Sequence, residues 1–556
     1  MALKRIVERR WIPATLKKLN FGALVMLRKI WRSLILSVLC LSVLIGCTPS
    51  ETATTETGRI TIGTTATVST LDPADAYNTF AGNLLYNLGD RLYRYKPGTG
   101  ELEPQLATAL PKVNADRLTY TIPLRKGVVF HDGEPFNAKA MEFSLKRFIE
   151  NGGGPSFLLA DVIDSVSAVG DDQLVIKLQK PFAGFPSLLA FSGACAVSPK
   201  AYKIGEKAFE SKTFVGTGPY KLVKFGNDSI VFDANDQYWG GKPANRGVNV
   251  QFFSSAANLF NAFRTGAIDV AGQGLAIEQV RNLRENASEN TWKMLERSGS
   301  GIDYLSLNVK SPPLDRLEVR QAIAAMVDRP ILESRIFRGQ VEPLYSLLPN
   351  SLREQKPVFK ELGDRNIDKA RKLLTKAGYS ESKPLQVELW YRSNVSSDGL
   401  AATTLRAIVQ KYLGNLMQVQ LNSVESVTAN ANVESGAYPI FLWDWSPDFL
   451  DADNYIQPFM ECAKGSAQKG CEKGSTVVQG SFYYNDRVNE LIDRSRKEQN
   501  PEARKRLFEE LQTILVNEVP FIPLWQNKDV LFVQKNIQNA TLEVTQKVPF
   551  ATMKKV

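Results

Sequence analysis

Between Trp443 and Tyr455 the chain reads WDWSPDFLDADNY. Asp444, Asp448, Asp451 and Asp453 are interleaved with Trp443, Trp445, Phe449 and Tyr455, and Pro447 blocks a regular helix through the middle. The aromatic side chains favour burial, but buried carboxylates are costly unless each finds a cation or water. Any fold that holds this stretch must bring positive partners to it, and a ligand's ammonium is one such partner. The stretch is read as the wall of a ligand pocket.

The amino end follows a different logic. Cationic residues run through the first 32 positions, then come thirteen uncharged residues, Leu34 to Gly46, then Cys47. This is the order of a secretory signal, and the apolar run is shorter than the ~20 residues of a membrane span. Leu44 to Cys47 resembles the lipobox of bacterial lipoproteins, which implies lipidation at Cys47 and a membrane partner through that lipid. Met26 as the true start would leave a compact signal with Arg28, Lys29 and Arg32 as its basic region; Arg9 and Arg10 fit a twin-arginine signal poorly. Residues 48–57, TPSETATTET, have the composition of a flexible tether. The segment 1–47 carries nine Lys or Arg against one acid, Glu8, which is +8 of the formal +10 and leaves +2 for the rest. That near-neutral body argues against nucleic acid as a partner.

Cysteine usage agrees with export. Cys462 and Cys471 flank a Gly, Lys and Ser-rich loop and are expected to pair, whereas Cys195 reads as a buried small hydrophobe. With a single His in the chain and no CxxC, no protein-built zinc or nickel site is expected, and no cofactor. His131 sits at a hairpin end with no Ser, Cys or Asp partner visible and reads as structural or solvated. Gly152 to Gly154 lacks the strand and the Lys-Ser/Thr of a phosphate cradle.

The body alternates strand and helix patterns, which makes a mixed α/β fold. Arg59 to Val68 is β-prone, Asn83 to Tyr93 is helical, and Asn137 caps a helix with Met141, Leu145 and Phe148 on one face. Tyr220 to Phe225 and Ile230 to Phe232 flank a Gly226-Asn227-Asp228 turn as a hairpin. Asp315 is expected to cap a helix whose inward face is Val319, Ile323, Met326 and Val327. Further helices are expected over Asp364 to Lys376, Leu405 to Leu413 and Pro501 to Val516, with a strand over Leu385 to Tyr391.

Four blocks in order, LRKGVVFHDGEPFNAKAMEFSLKRF (Leu124 to Phe148), VGTGPYKLVKF with NDQYWGGKP (Val215 to Pro243), LDRLEVRQAIAAMVDRPIL (Leu314 to Leu332) and VPFIPLW (Val519 to Trp525), resemble the family 5 extracellular solute-binding proteins of ABC importers, which bind dipeptides, oligopeptides or nickel. The resemblance spans nearly the whole body. It implies a two-lobed periplasmic-binding-protein clamp of α/β class with mixed sheets, an inserted subdomain and a hinge. On this chain, lobe I would comprise 58–92, 196–300 and 517–556, the subdomain 93–195 and lobe II 301–516, with crossings near Gly299 to Tyr304 and Asn517 to Phe521. Ser298 to Gly301 would either absorb hinge rotation or form a surface loop.

In peptide-binding members, an aspartate within a W..DY.DP..F block holds the ligand's α-ammonium. That pattern lays Trp445, Asp448, Phe449, Asp451 and Tyr455 on its positions, with Ala452 in place of the Pro. Asp448 becomes the expected amine anchor, Trp443, Trp445 and Phe449 the expected walls, and Asp444, Asp451 and Asp453 turn or surface acids. The expected function is a lipid-anchored, exported, monomeric receptor that delivers peptides to an ABC permease in the cytoplasmic membrane and is not an enzyme. Two other readings are an oligosaccharide stacked on Trp443 and Trp445, or a metal chelate, on the same scaffold. From a different class comes an exported hydrolase using Asp448 with Asp451 or Asp453.

Overall fold

The computed structural model describes residues 58–556; the signal, Cys47 and the tether lie outside the described residues. One eleven-stranded mixed sheet organises the body. Its axis is a pair of long antiparallel strands, Trp292–Leu307 and Phe521–Gln534, paired from Trp292 opposite Gln534 to Ser306 opposite Phe521 with two shifts of register between. On one side of this pair lie Val270–Ala271, Arg59–Thr64, Gly247–Phe252 and the hairpin Ser229–Ala234 with Tyr220–Phe225. On the other side lie Ile440–Trp445, Leu385–Arg392 and Met417–Val424. A separate four-stranded antiparallel sheet over residues 112–178 packs its own core with the helix Ala138–Glu150, which Asn137 caps by accepting the Ala140 N–H at 3.0 Å.

The two long strands pass from one hydrophobic core to another. Phe521, Ile522, Leu524 and Trp525 are buried with Ile302 to Leu307 and the C-terminal helices, whereas Leu531 and Val533 are buried with Ile60, Val248 and Val250. The core therefore changes hands between Trp525 and Leu531, downstream of the crossing expected at Asn517 to Phe521. Its partner strand changes cores around residues 298–302. The ladder shifts register between Ser298 and Ile302, where Gly299 lies so close to Asn527 that a Cβ would meet its carbonyl oxygen at 2.7 Å. Ser300 is only 3% exposed, so this is a buried break and not a surface loop.

Local capping decides where several expected helices begin and end. The first runs Thr79–Leu88, opened by Asn78 and closed at Gly89, so Leu92 belongs to the inserted core instead. Asp315 does not cap; Arg316 holds the N-cap position of Leu317–Met326 without a side-chain bond. Asn366 opens Ile367–Lys376, which frees Asp364 to bind Arg329 at 2.9 Å. The last helix, Pro501–Glu518, is capped by Asn500.

Candidate functional site

The strand Ile440–Trp445 ends opposite Ile302, beside the break in the long strands, and the chain then leaves the sheet as the loop Ser446 to Asp451. Tyr455 returns to the break and donates its hydroxyl to the Ser300 carbonyl at 2.8 Å. The acidic stretch is thus hung from the point where the sheet passes between cores.

The loop forms one wall of a cavity of about 230 Å³. Ser446 to Leu450 face Tyr77 to Thr79 and Gly82 from the first helix region, Ala190 to Gly193 from the inserted subdomain, and Thr545 to Lys547 from the C-terminal segment. A second cavity of about 490 Å³ adjoins it and shares Thr79, Ser446 and Gln546; Asn527 to Asp529 of the long strand line it. Asp448 projects into the smaller cavity. The Tyr77 hydroxyl donates to its Oδ1 at 2.9 Å, and its own N–H donates to Asn454 Oδ1 at 3.0 Å. Burial raises its carboxyl to about 6, against hydrogen bonding by the Tyr77 and Asn454 side chains and the nearby Lys547. Among the described residues Asp448 makes no ion pair.

The other three acids differ from it. Arg504 grips Asp451 in a bidentate pair at 2.7 and 2.8 Å, Arg496 grips Asp453 at 2.7 and 2.9 Å, and Arg392 binds Asp444. Asp453 is 2% exposed, and Asp451 caps the turn at Ala452 by accepting the Asp453 N–H. All three are paired with arginine; Asp451 and Asp453 are mostly buried, while the Asp444 side chain is 42% exposed, so Asp444 stays near the expected surface acid and Asp451 near the expected turn acid. The sequence pattern could not show this because Arg496 and Arg504 lie 43 and 53 residues downstream on helices and Arg392 lies 52 residues upstream on a strand.

The profile of the bacterial extracellular solute-binding proteins, family 5, matches residues 101–467, about two thirds of the chain. The chain belongs to this family. The "Probable D,D-dipeptide-binding periplasmic protein" of Escherichia coli K12 is 26% identical over 490 residues, covering 86% of this chain and 90% of its own. Heme-binding protein A of Haemophilus influenzae is 25% identical over 460 residues, covering 78% and 81%. The periplasmic binding protein DppA of Helicobacter pylori, solved with the peptide STSA, superposes with a TM-score of 0.72 at 23% identity, covering 90% of this chain and 98% of that one. The family 5 fold is the two-lobed clamp with a mixed sheet, and the cavities around Asp448 lie where its long strands change cores.

In this family 5 protein the expected aromatic walls are only partly found. Phe449 lines the cavity and also packs edge-on against Phe182, 6.0 Å between centroids, within the core of the inserted subdomain. Trp443 and Trp445 line neither cavity, because both still belong to the strand and the lining begins at Ser446. Trp443 lies against Phe441 and beneath the Arg392 guanidinium, and Trp445 packs edge-on against Phe459. Tyr77 and Lys547, which do face the cavity, carried no signal in the sequence: each sits in an irregular segment and arrives only through tertiary placement.

Cys462 and Cys471 form a disulfide, and Cys195 is buried, its thiol pushed up to about 12 by burial. His131 is held between the Gly218 carbonyl and the Gly216 N–H, and burial lowers it to about 4, a neutral structural imidazole. Among the described residues no group of three or more His, Cys, Asp or Glu could hold a metal ion.

Proposed function

We propose that this family 5 binding protein is a lipid-anchored receptor, exported to the periplasm or the outer face of the cytoplasmic membrane. It acts as a monomer, captures di- to oligopeptides between its lobes and hands them to an ABC permease. Cys47 carries the lipid. Lobe I takes 58–92, 196–300 and the end of the chain from about the Trp525 to Leu531 passage, with 93–195 inserted and lobe II between. The observation that carries the ligand reading is the contrast among the four acids of the loop. Asp444, Asp451 and Asp453 each hold an arginine, whereas Asp448 faces the cavity with a hydroxyl donor and no cation of its own. A ligand's ammonium completes it by a charge-assisted hydrogen bond in a water-poor cleft. Main-chain hydrogen bonds would hold the remaining peptide with little regard for side chains. The names of relatives, which include dipeptide, peptide and heme binders, fit one scaffold with exchangeable ligands.

The sugar reading loses its stacking platform, since Trp443 and Trp445 lie outside both cavities. The hydrolase reading loses its second carboxylate to Arg504 and Arg496. Native mass spectrometry of the mature protein with peptide pools tests the proposal. Bound masses in the di- to oligopeptide range are expected, with Asp448→Ala weakening them by ~2 to 5 kcal/mol, thirtyfold or more. Heme, sugar or metal-chelate masses in place of peptide would overturn it.

A further inference from the structure

We infer that Asp529 makes the larger cavity a subsite for a second cation. The preferred ligand then carries, besides the ammonium held by Asp448, an aliphatic arm that ends in an amine or guanidinium. The inference rests on the peptide reading above and deepens it. Two charged residues line this cavity of about 490 Å³, Lys528 and Asp529. Lys528 is committed, its Nζ lying 3.2 Å from Glu296. Asp529 is not: among the described residues no ion pair includes it, and its Oδ2 is buried without a hydrogen-bond partner. A buried carboxylate in that state is costly, and a ligand cation removes the cost.

The strands around Asp529 explain why it is left over. It stands directly opposite Arg297 on the neighbouring long strand, one residue from the break at Ser298. The Arg297 guanidinium turns to the backbone instead, its Nη1 donating to the Leu542 carbonyl at 2.8 Å. Gly299 leaves the carboxylate its room, since a Cβ there would stand 2.8 Å from Asp529 Oδ1. Asn527, which lines the same cavity, donates its amide to Asp303 at 2.9 Å, and Asp303 is itself buried opposite Asp444. The wall behind the cavity is therefore acidic. The charged groups that face Asp529 are Arg297 and Lys547, and Lys547 lines only the smaller cavity. Burial lifts the Asp529 carboxyl to about 7 against these two cations. Leu275, Ile277, Val341 and Leu531 line the larger cavity as well, which suits the methylene stem of lysine, ornithine or arginine. The two cavities share Thr79, Ser446 and Gln546, so one ligand reaches both carboxylates. A neutral arm leaves Asp529 unpaired, and an acidic arm meets a like charge.

The test titrates the purified full-length protein with di- and tripeptides that carry lysine at each position in turn. Each is matched by the same peptide with norleucine, which keeps the stem and lacks the ammonium. At one position lysine is expected to bind about tenfold or more tightly than norleucine. Calorimetry at pH 7 in buffers of different ionisation enthalpy should show about half a proton more released with that lysine peptide, because pairing ionises Asp529. Asp529→Asn should bind both peptides alike, near the norleucine affinity of the wild type, and release no extra proton; Asp529→Glu should keep the preference. Equal binding of lysine and norleucine peptides at every position by the wild type, which needs no variant, overturns the inference and leaves the peptide reading standing. A lysine preference that survives in Asp529→Asn also overturns it. Binding of neither series removes the peptide reading and this inference with it.

Discussion

Asp448 carries the protein's main conflict between stability and function. Its carboxyl titrates near 3.8 when unfolded and near 6 in the fold, chiefly through burial. As pH rises from 4 towards 7 the unfolded chain releases this proton first, so the stability the protonated group provides at acid pH is lost as pH passes 6. Asp448→Asn keeps an oxygen for the Tyr77 hydroxyl and removes the charge. Urea unfolding of ligand-free protein should show this variant more stable than wild type by ~1 to 3 kcal/mol at pH 7.5, with the gain shrinking towards pH 4; equal destabilisation at both values would refute the assignment. The same titration governs ligand: an ammonium needs the carboxylate, so affinity should fall roughly tenfold between pH 7 and pH 5. Asp448 could be picked out in the sequence because the acidic, aromatic stretch and the family pattern converge on it. Tyr77 and Lys547 could not, since their roles come from which side chain happens to face across the cleft, about 370 residues away for the tyrosine.

At the level of elements, the acidic loop is held by the two helices that follow it, Asp486–Lys497 and Pro501–Glu518, through Arg496 and Arg504. Removing one partner of a mostly buried pair leaves an uncompensated charge, so Arg504→Leu should cost ~3 to 5 kcal/mol in denaturant unfolding. The double variant Asp451→Asn with Arg504→Leu should recover most of that loss; if it is no better than the single variant, the arginine acts through packing and not through charge. Helix identity was legible wherever apolar spacing was strong, as in Ala138–Glu150 and Pro501–Glu518. Starts were misread where two polar residues compete for the cap: Asn366 takes the role expected near Asp364, which the guanidinium of Arg329 claims instead.

For the whole molecule, the Gly and Ser cluster Ser298 to Gly301 falls at the break in the first long strand, whereas the second long strand changes cores between Trp525 and Leu531. Val519 to Trp525 reads as a closing strand, yet the strand runs on to Gln534 and its polar residues Asn527 to Asp529 line the larger cavity. Polar residues in mid-strand mark the cleft itself. Around that cleft, lobe II meets the inserted subdomain through a small set of contacts. Phe449 and the Arg496 guanidinium both pack on Phe182, the Ala183 N–H donates to the Arg496 carbonyl at 2.7 Å, and Arg117 donates to the Lys497 carbonyl at 2.6 Å. If the lobes part to admit ligand, these contacts break together, and their strength sets the population of the closed form without touching the ligand. Phe182 lines neither cavity, which makes it the position that separates closure from recognition. Phe182→Leu retains most of the core volume and removes the edge-on ring contact, worth about 0.5 to 1.5 kcal/mol. Every ligand should therefore weaken by the same factor, about 2- to 12-fold, through faster release, with the order of ligand preference unchanged. Stopped-flow release and solution scattering read the two consequences: quicker dissociation and a larger radius of gyration for the ligand-free variant. A reordered ligand preference, or unchanged release and dimensions, would show that the Phe182 contact does not hold the clamp shut.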